Sequence, residues 1–370
     1  MPREEIFHAS LEFFLAPIQP FLRDETVTEV MVNGPGEVYI ERAGKLERTD
    51  ARFADEDALR SAVHNVAQYV GREIDHIRPV MDARLPDGSR VHAIIPPGSR
   101  RGTCLTIRKF SRDKLDLPQL VRLGSLSDSA REFLELCVRL HKNTVVAGGT
   151  GTGKTSLLNA LWTAIPPEER IVVIEDSSEL RLVQPHCVYL ESQQPDPQGR
   201  GGLTIRQLFV ASLRMRPDRI VVGEVRSGEA LDMIQSMLSG HAGSLTTVHA
   251  SSPRDAMIRL ETLSLMSDVQ LPVYVARAQV ASAIHLIVQL SRFAEDGSRR
   301  VTRITEARGL EGDQYQFTDL FISRMRGRDP SGKIIAELEP TGHRPTFARE
   351  VVEQGMVDRV RYSTSLWDLG

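Results

Sequence analysis

The stretch NTVVAGGTGTGKTSLLNALW, residues 143–162, leaves a chain little freedom in its choice of fold. Residues 144–147 form a short apolar run rich in β-branched side chains and predict a buried strand, while residues 155–164 place apolar side chains at helical spacing. Between them stand Gly148, four residues, Gly153, Lys154 and Thr155, the spacing of a phosphate-binding P-loop. Gly148, Gly149, Gly151 and Gly153 allow the positive φ angles that turn successive N–H groups inward, so strand, loop and helix N-terminus make a concave anion site. Thr150 and Thr152 complete the loop, and Ser156 the first helical turn. Lys154 is expected to reach the β- and γ-phosphates of a nucleotide, and the Thr155 hydroxyl to bind its Mg²⁺. A glycine-rich turn with no ligand has no use for Lys and Thr after its last glycine. The expected fold class is therefore α/β.

A chain of 370 residues has room for two domains and a short appendage. Residues 37–42 alternate as a strand does, and residues 55–70 repeat apolar positions at helical spacing behind a capping Asp55. Residues 80–95 read as a hairpin closed at Pro86-Asp87-Gly88, and residues 104–110 as one more strand. Together they predict an α+β domain over residues 1–110. Residues 111–125, charged and broken by Pro118 and Gly124, read as a linker. Across residues 126–311 strands alternate with helices, the mark of a parallel sheet. The pattern turns antiparallel after about Ile284, where residues 283–293 and 299–309 flank the turn AEDGS. Residues 312–370 are expected to form a short mixed appendage.

Two more segments carry carboxylates to strand ends. RIVVIEDSSEL, residues 170–180, is a buried strand ending in Glu175-Asp176, and RPDRIVVGEVRSGEA, residues 216–230, is a second with Glu224 just past Gly223. Ligands of parallel sheets gather at these C-terminal edges. Phosphate hydrolysis uses one acidic group on the Mg²⁺ side and another to orient the attacking water. A lone strand-end glutamate is commonly just solvated; a pair beside a P-loop is not so easily dismissed. SGHAGSLTTVHASS, residues 239–252, holds His241 and His249 eight apart with no Cys nearby, which argues against a metal site. A structural pair and a γ-phosphate sensor both remain open.

Cys104, Cys137 and Cys187 stand far apart without a C-x-x-C, so neither a disulfide framework nor a zinc ribbon is indicated, and a reducing cytoplasm fits. A net charge of -3 and 5% aromatic residues weigh against a nucleic-acid translocase, which tracks a strand with basic grooves and aromatic platforms. The first residues lack the basic start and apolar run of a signal peptide, and no stretch approaches the roughly 20 apolar residues that span a bilayer. Membrane association is expected through partners only.

Taken in order, GGTGTGKT, VVIEDSSEL, RIVVGEVR and GHAGSLTTVHA resemble the Walker A, Asp, Walker B and His boxes of the secretion ATPase superfamily, the motors of type II secretion, type IV pili and type IV secretion. The segments DETVTEVMVNGPGEVYIERAGKL, PVMDARLPDGSRVHAIIPP and LTIRKF, and the tail from FISRMRGRDPSGK onward, look most like the CpaF-like ATPases of tight-adherence (Tad) pilus systems. Such a resemblance implies a RecA-like P-loop ATPase domain behind a small α+β, PAS-like N-terminal domain. It further implies ATP and Mg²⁺ as cofactors and a cytoplasmic homohexamer peripheral at the inner membrane through polytopic platform proteins, with no nucleic acid. Type IV secretion, for conjugation or effector export, is the alternative setting. The family's roles carry over as follows: Glu175 orients water, Glu224 is the Mg²⁺-side carboxylate, and Arg90 and Arg108 fall where N-terminal-domain arginines contact phosphates. Arg84, Arg100 and Arg101 are neighbouring candidates for that last role. The Asp box departs from the usual pattern, reading Glu-Asp-Ser-Ser-Glu where relatives commonly have Pro or Thr.

Overall fold

The computed structural model describes residues 3–42, 44–85, 87–110, 115–176, 180, 184–193, 195, 199–330 and 332–370, with side chains from residue 9 onward. The chain divides into two compact units, Met1–Asp113 and Lys114–Gly370.

In the first unit, helices α1 (Arg3–Phe14) and α2 (Gln19–Arg23) precede strands β1 (Val27–Val32), β2 (Val38–Arg42) and β3 (Lys45–Arg48). Helix α3 (Glu56–Tyr69) leads to β4 (Val80–Arg84), β5 (Arg90–Ile94) and β6 (Cys104–Arg108). Antiparallel pairing gives one sheet in the order β3-β2-β1-β6-β5-β4. The Asp55 side chain accepts from Ala58 N (2.8 Å) and starts α3 where expected. Alternation sorts the strands: Val30, Val32, Leu105, Ile107, Val91 and Ala93 are buried in one core with Leu59, Val63 and Val66 of α3. The 80–95 hairpin forms as read, with Gly88 N bonded to Leu85 O; Pro86 of its turn lies outside the described residues.

The second unit opens with α4 (Leu117–Arg122) and α5 (Asp128–Arg139), and β7 (Thr144–Gly148) runs into α6 (Lys154–Leu161). Then come β8 (Ile171–Glu175), β9 (Cys187–Glu191), α7 (Ile205–Ser212), β10 (Arg219–Val222), α8 (Glu229–Leu238) and β11 (Leu245–Val248). Helices α9 (Pro253–Leu265) and α10 (Val273–Ala283) precede β12 (Leu286–Arg292), β13 (Arg299–Glu311), β14 (Gln314–Arg328), β15 (Ile334–Pro340) and α11 (Glu350–Glu353). One sheet joins the strands in the order β15-β14-β13-β12-β7-β11-β10-β8-β9. From β12 to β9 all neighbours are parallel; β13, β14 and β15 are added antiparallel. Both faces of the parallel part are covered, because Val146, Val173 and Val221 enter one core while Val145, Val172 and Val222 enter the other.

Two segments differ from the sequence reading. Part of the stretch read as a linker is the folded helix α4, whose Leu117 and Leu120 are buried. Residues from 312 onward do not form a separate appendage within the described residues: β14 and β15 extend the main sheet, and the 311/312 division cuts the β13–β14 hairpin.

The C-terminal stretch is bound into this unit. Glu132 on α5 accepts from the backbone N–H groups of Arg361 (2.9 Å), Tyr362 (3.0 Å) and Ser363 (3.0 Å) and from the Ser363 hydroxyl (2.7 Å). Burial works against ionisation, but these donors outweigh it and hold the carboxyl below its usual range. Trp367, fully buried, donates through Nε1 to Ser363 Oγ (3.0 Å) and packs 5.3 Å from the Phe133 ring. Glu132→Ala would orphan the buried N–H and hydroxyl of Ser363 together with two part-buried N–H groups. A loss of at least about 2 kcal/mol in urea-unfolding stability is expected, since one buried unsatisfied group already costs ~1–3 kcal/mol; an unchanged midpoint would mean that the Glu132 bonds to the tail contribute nothing.

Candidate active site

The P-loop is built as its spacing requires. Gly153, the N-cap of α6, has φ 93°, and Gly151 has φ 69°. A Cβ at Gly148 would lie 2.5 Å from Thr152 Oγ1 and 2.9 Å from Leu290 O, so no other residue fits there. Thr152 Oγ1 donates to Gly149 O (2.9 Å), closing the loop, while Gly149 and Thr150 are exposed at its mouth. Thr155 and Ser156 are half-buried on the first turn of α6.

Strand order sets what surrounds the loop. Next to β7 lies β11, then β10, then β8, all parallel, so their C-terminal ends bring His249, Glu224 and Glu175 along the same edge as the P-loop. Lys154, only 8% exposed, donates to Gly149 O (2.9 Å) and to His249 Nδ1 (3.4 Å). An ammonium group can only donate, so Nδ1 is the acceptor and Nε2 carries the proton. His249 Nε2 then donates to Glu224 Oε1 (2.9 Å). Burial, reinforced by Lys154, depresses the His249 pKa below the usual value and keeps the ring neutral at pH 7, although Glu224 pulls the other way.

The relay continues on the far side of Glu224. Arg226 Nη2 donates to Glu224 Oε2 (2.7 Å) and Nη1 to Asp176 Oδ2 (3.2 Å), and Ser192 Oγ donates to Asp176 Oδ1 (2.7 Å). Thr247 Oγ1 donates to Gly223 O (2.8 Å), tying the β11 end to the residue before Glu224. Glu175 is buried, accepts from Leu180 N (3.0 Å) through Oε1, and has its Cγ 3.1 Å from the position of a Cβ on Gly223. The two glutamates therefore sit on adjacent strand ends. Glu179 of the same box lies outside the described residues.

His241 is not part of this edge. It precedes β11, whose N-terminal neighbour Ser244 accepts from Thr144 N at the start of β7, and its backbone N–H donates to Ser236 O while its carbonyl accepts from Ser244 Oγ, at the opposite end of the strands. At ~3.3 Å per residue the length of β11 alone separates it from His249 by more than about 10 Å. The reading that joined the two histidines is corrected: within this unit they occupy opposite edges. Arg226 is the residue the sequence reading passed over. Its signal was present, two positions after Glu224 in GEVR, but a charged residue in a strand-end loop looks solvated until its partners are known.

In the first unit Arg90 and Arg108 are direct cross-strand partners, and the row continues through Arg84 on one side and Glu29 on the other. All four belong to the alternation set opposite the one that packs on α3. Burial raises the Glu29 pKa against the opposing pull of Arg108. Arg100 and Arg101 lie on the loop before β6 and outside this row.

Among the described residues no group of three or more His, Cys, Asp and Glu side chains is placed to hold a metal unaided. A Mg²⁺ arriving with a nucleotide needs hard oxygen donors, and the Thr155 hydroxyl and the Glu224 carboxylate are of that kind. No described helix is long and apolar enough to cross a membrane.

Comparison with known proteins agrees with this arrangement. The family model described as type II/IV secretion system protein matches residues 14–327. The type IV secretion system protein PtlH of Bordetella pertussis is 37% identical over 316 residues, covering 79% of this chain and 93% of the relative. VirB11 of Brucella suis, also a type IV secretion system protein, is 35% identical over 319 residues, covering 79% and 88%. The solved structure of the pilus retraction motor PilT with bound ADP shares the fold with a TM-score of 0.55 at 16% identity, over 97% of this chain and 90% of that one. The mixed α/β architecture of an N-terminal domain followed by a RecA-like domain is thus common to them, and the chain belongs to the type II/IV secretion system protein family, a family of ATPases.

Proposed function

We propose that the chain is the ATP-hydrolysing motor of a type IV secretion apparatus, acting as a cytoplasmic homohexamer held at the inner membrane by its partners. The observation that carries this reading is the delivery of Lys154, His249, Glu224 and Glu175 to one sheet edge by four adjacent parallel strands. The loop from Gly148 to Ser156 and Lys154 take the phosphates of ATP, and Thr155 and Glu224 hold Mg²⁺. When bound, that ion would offset charge on the β- and γ-phosphate oxygens. Glu175 orients the attacking water. His249 touches both Lys154 and Glu224, so a phosphate that draws Lys154 away from Nδ1 changes the environment of Glu224 in the same motion; the sensor role falls to His249 alone.

Arg90 and Arg108 stabilise charge on the transferring phosphoryl group, for which a planar, permanent guanidinium is suited. Arg108→Ala is expected to leave folding and ring formation intact and to cut turnover at least about tenfold, a floor set below the roughly 10³–10⁵ that an arginine finger contributes. If the arginine acts across a subunit boundary, mixing Arg108→Ala with Lys154→Ala protein restores part of the phosphate release, because some interfaces pair an intact P-loop with an intact arginine. A mixture as inactive as its components assigns the arginine to its own subunit, and normal turnover of Arg108→Ala removes it from the mechanism.

A second setting, assembly of a Tad-type pilus, is favoured by residues 328–370. They lie beyond the family match, carry the CpaF-like tail sequence and fold as β15 and the bound C-terminal stretch. Co-isolation of the hydrolysis-slow Glu224→Gln protein from a membrane extract separates the two settings: type IV secretion channel subunits support the first, polytopic pilus platform proteins the second.

A further inference from the structure

We propose that Arg292 and Arg299 line the nucleotide site of their own subunit and bind the phosphate chain of ATP and ADP alongside Lys154. The proposal rests on the P-loop reading above. Strand β12 runs parallel to β7 with Leu290 opposite Gly148, so its last residue, Arg292, comes up beside the loop. Its Nη1 lies 3.4 Å from the position a Cβ would take on Gly151, and the Cδ of Arg299 lies 3.7 Å from the corresponding position on Gly153. Both side chains therefore rest against the two left-handed glycines of the P-loop.

The two arginines are also direct cross-strand partners in the β12–β13 hairpin. Arginine's fork matches phosphate oxygens two at a time, which makes it a better partner for a polyphosphate than a point charge.

The hairpin that carries them is braced from the C-terminal side. Buried Arg300 donates to Gly124 O (3.1 Å), Ala336 O (3.2 Å) and Ile334 O (2.6 Å). At the hairpin tip Asp296 accepts from Ser298 N (2.9 Å) and Ile334 N (2.9 Å). Burial disfavours its charge, but the bonds from Ser298 and Ile334 win and bring its pKa down to about 2. Two braces thus come from β15, a strand outside the span that the family model matches. The backbone that carries the two arginines is held beside the loop by packed structure.

Because such contacts are made in the ground state as well as the transition state, their loss should appear in binding more than in turnover. In the full-length protein, Arg292→Gln and Arg299→Gln are each expected to raise KM for Mg·ATP and Kd for Mg·ADP about tenfold, with kcat within about twofold of wild type and unchanged thermal melting. Arg292→Lys, which keeps the charge and loses the fork, should recover part of the affinity. If both Gln variants bind Mg·ADP as wild type does while Lys154→Ala loses it, the arginine proposal is overturned and the P-loop reading stands. If Lys154→Ala also binds as wild type, the P-loop reading falls and takes this proposal with it. A drop in kcat at constant KM and Kd likewise overturns a binding role.

Discussion

Lys154→Ala is expected to reduce steady-state phosphate release from Mg·ATP by at least about a hundredfold, the scale set by removing one preorganised donor from a charged transition state. Lys154 is 8% exposed, and its ammonium group donates to a loop carbonyl and to a histidine nitrogen, both of which lie in the site itself. The alanine variant removes a cation that faces the site and adds no bulk, so the monomer should stay folded. His249 would lose the positive neighbour that depresses its pKa and would shift back toward the ordinary value. Phosphate release measured with a circular dichroism melt decides the matter: turnover within about threefold of wild type would show that nucleotide chemistry does not happen at this loop.

Glu224→Gln should slow turnover by about 10²–10⁴ while ATP stays bound, the range over which a positioned acid–base or charge-stabilising group acts. The amide is nearly the same shape, so the change removes charge and not packing. Its oxygen can still accept from Arg226, but its NH₂ would face the Nε2–H of His249, donor against donor, and the ring must change tautomer or turn away. Lys154 then loses an acceptor at Nδ1. The single substitution is thus predicted to disturb the entire line from Lys154 to Asp176. Run beside Glu175→Gln, the experiment also separates the two carboxylates. A raised Mg²⁺ requirement confined to Glu224→Gln puts the metal at that strand end, whereas normal turnover by Glu224→Gln would sink the mechanism.

What could be read in advance was local. The P-loop, the strand-end glutamates and α3 behind Asp55 each depend on a few consecutive residues, and each formed where the sequence placed it. Strand order is different, since nothing near Val248 announces that β11 will lie between β7 and β10 and set His249 between Lys154 and Glu224. His241 was read with His249 because both lie in one short stretch, although a strand between them carries them to opposite edges. Helix α4 was hidden by its own boundary marks. Pro118 is at the first turn and Gly124, at φ 72°, is the left-handed residue past the end, with Ser125 N bonded to Leu120 O and Gly124 N to Val121 O. Proline and glycine six residues apart looked like a broken linker and are the two ends of a six-residue helix. Likewise the charged outer face of β14, with Arg324, Arg326 and Arg328, disguised a strand whose pairing with β13 is its main commitment.

The clasp between Glu132 and Ser363 spans 231 residues of chain. During synthesis α5 leaves the ribosome early and must wait, with Phe133 and an ionisable carboxylate unsheltered, until the segment ending at Trp367 has followed. The P-loop unit therefore closes late, as a whole, and contacts of such long sequence separation are slow to form and leave apolar surface open to aggregation meanwhile. A stop codon or frameshift a few residues before Ser363 would consequently act less like a trimmed tail than like an unfinished domain. Its product would be a substrate for chaperones and proteases before it could ever join a ring.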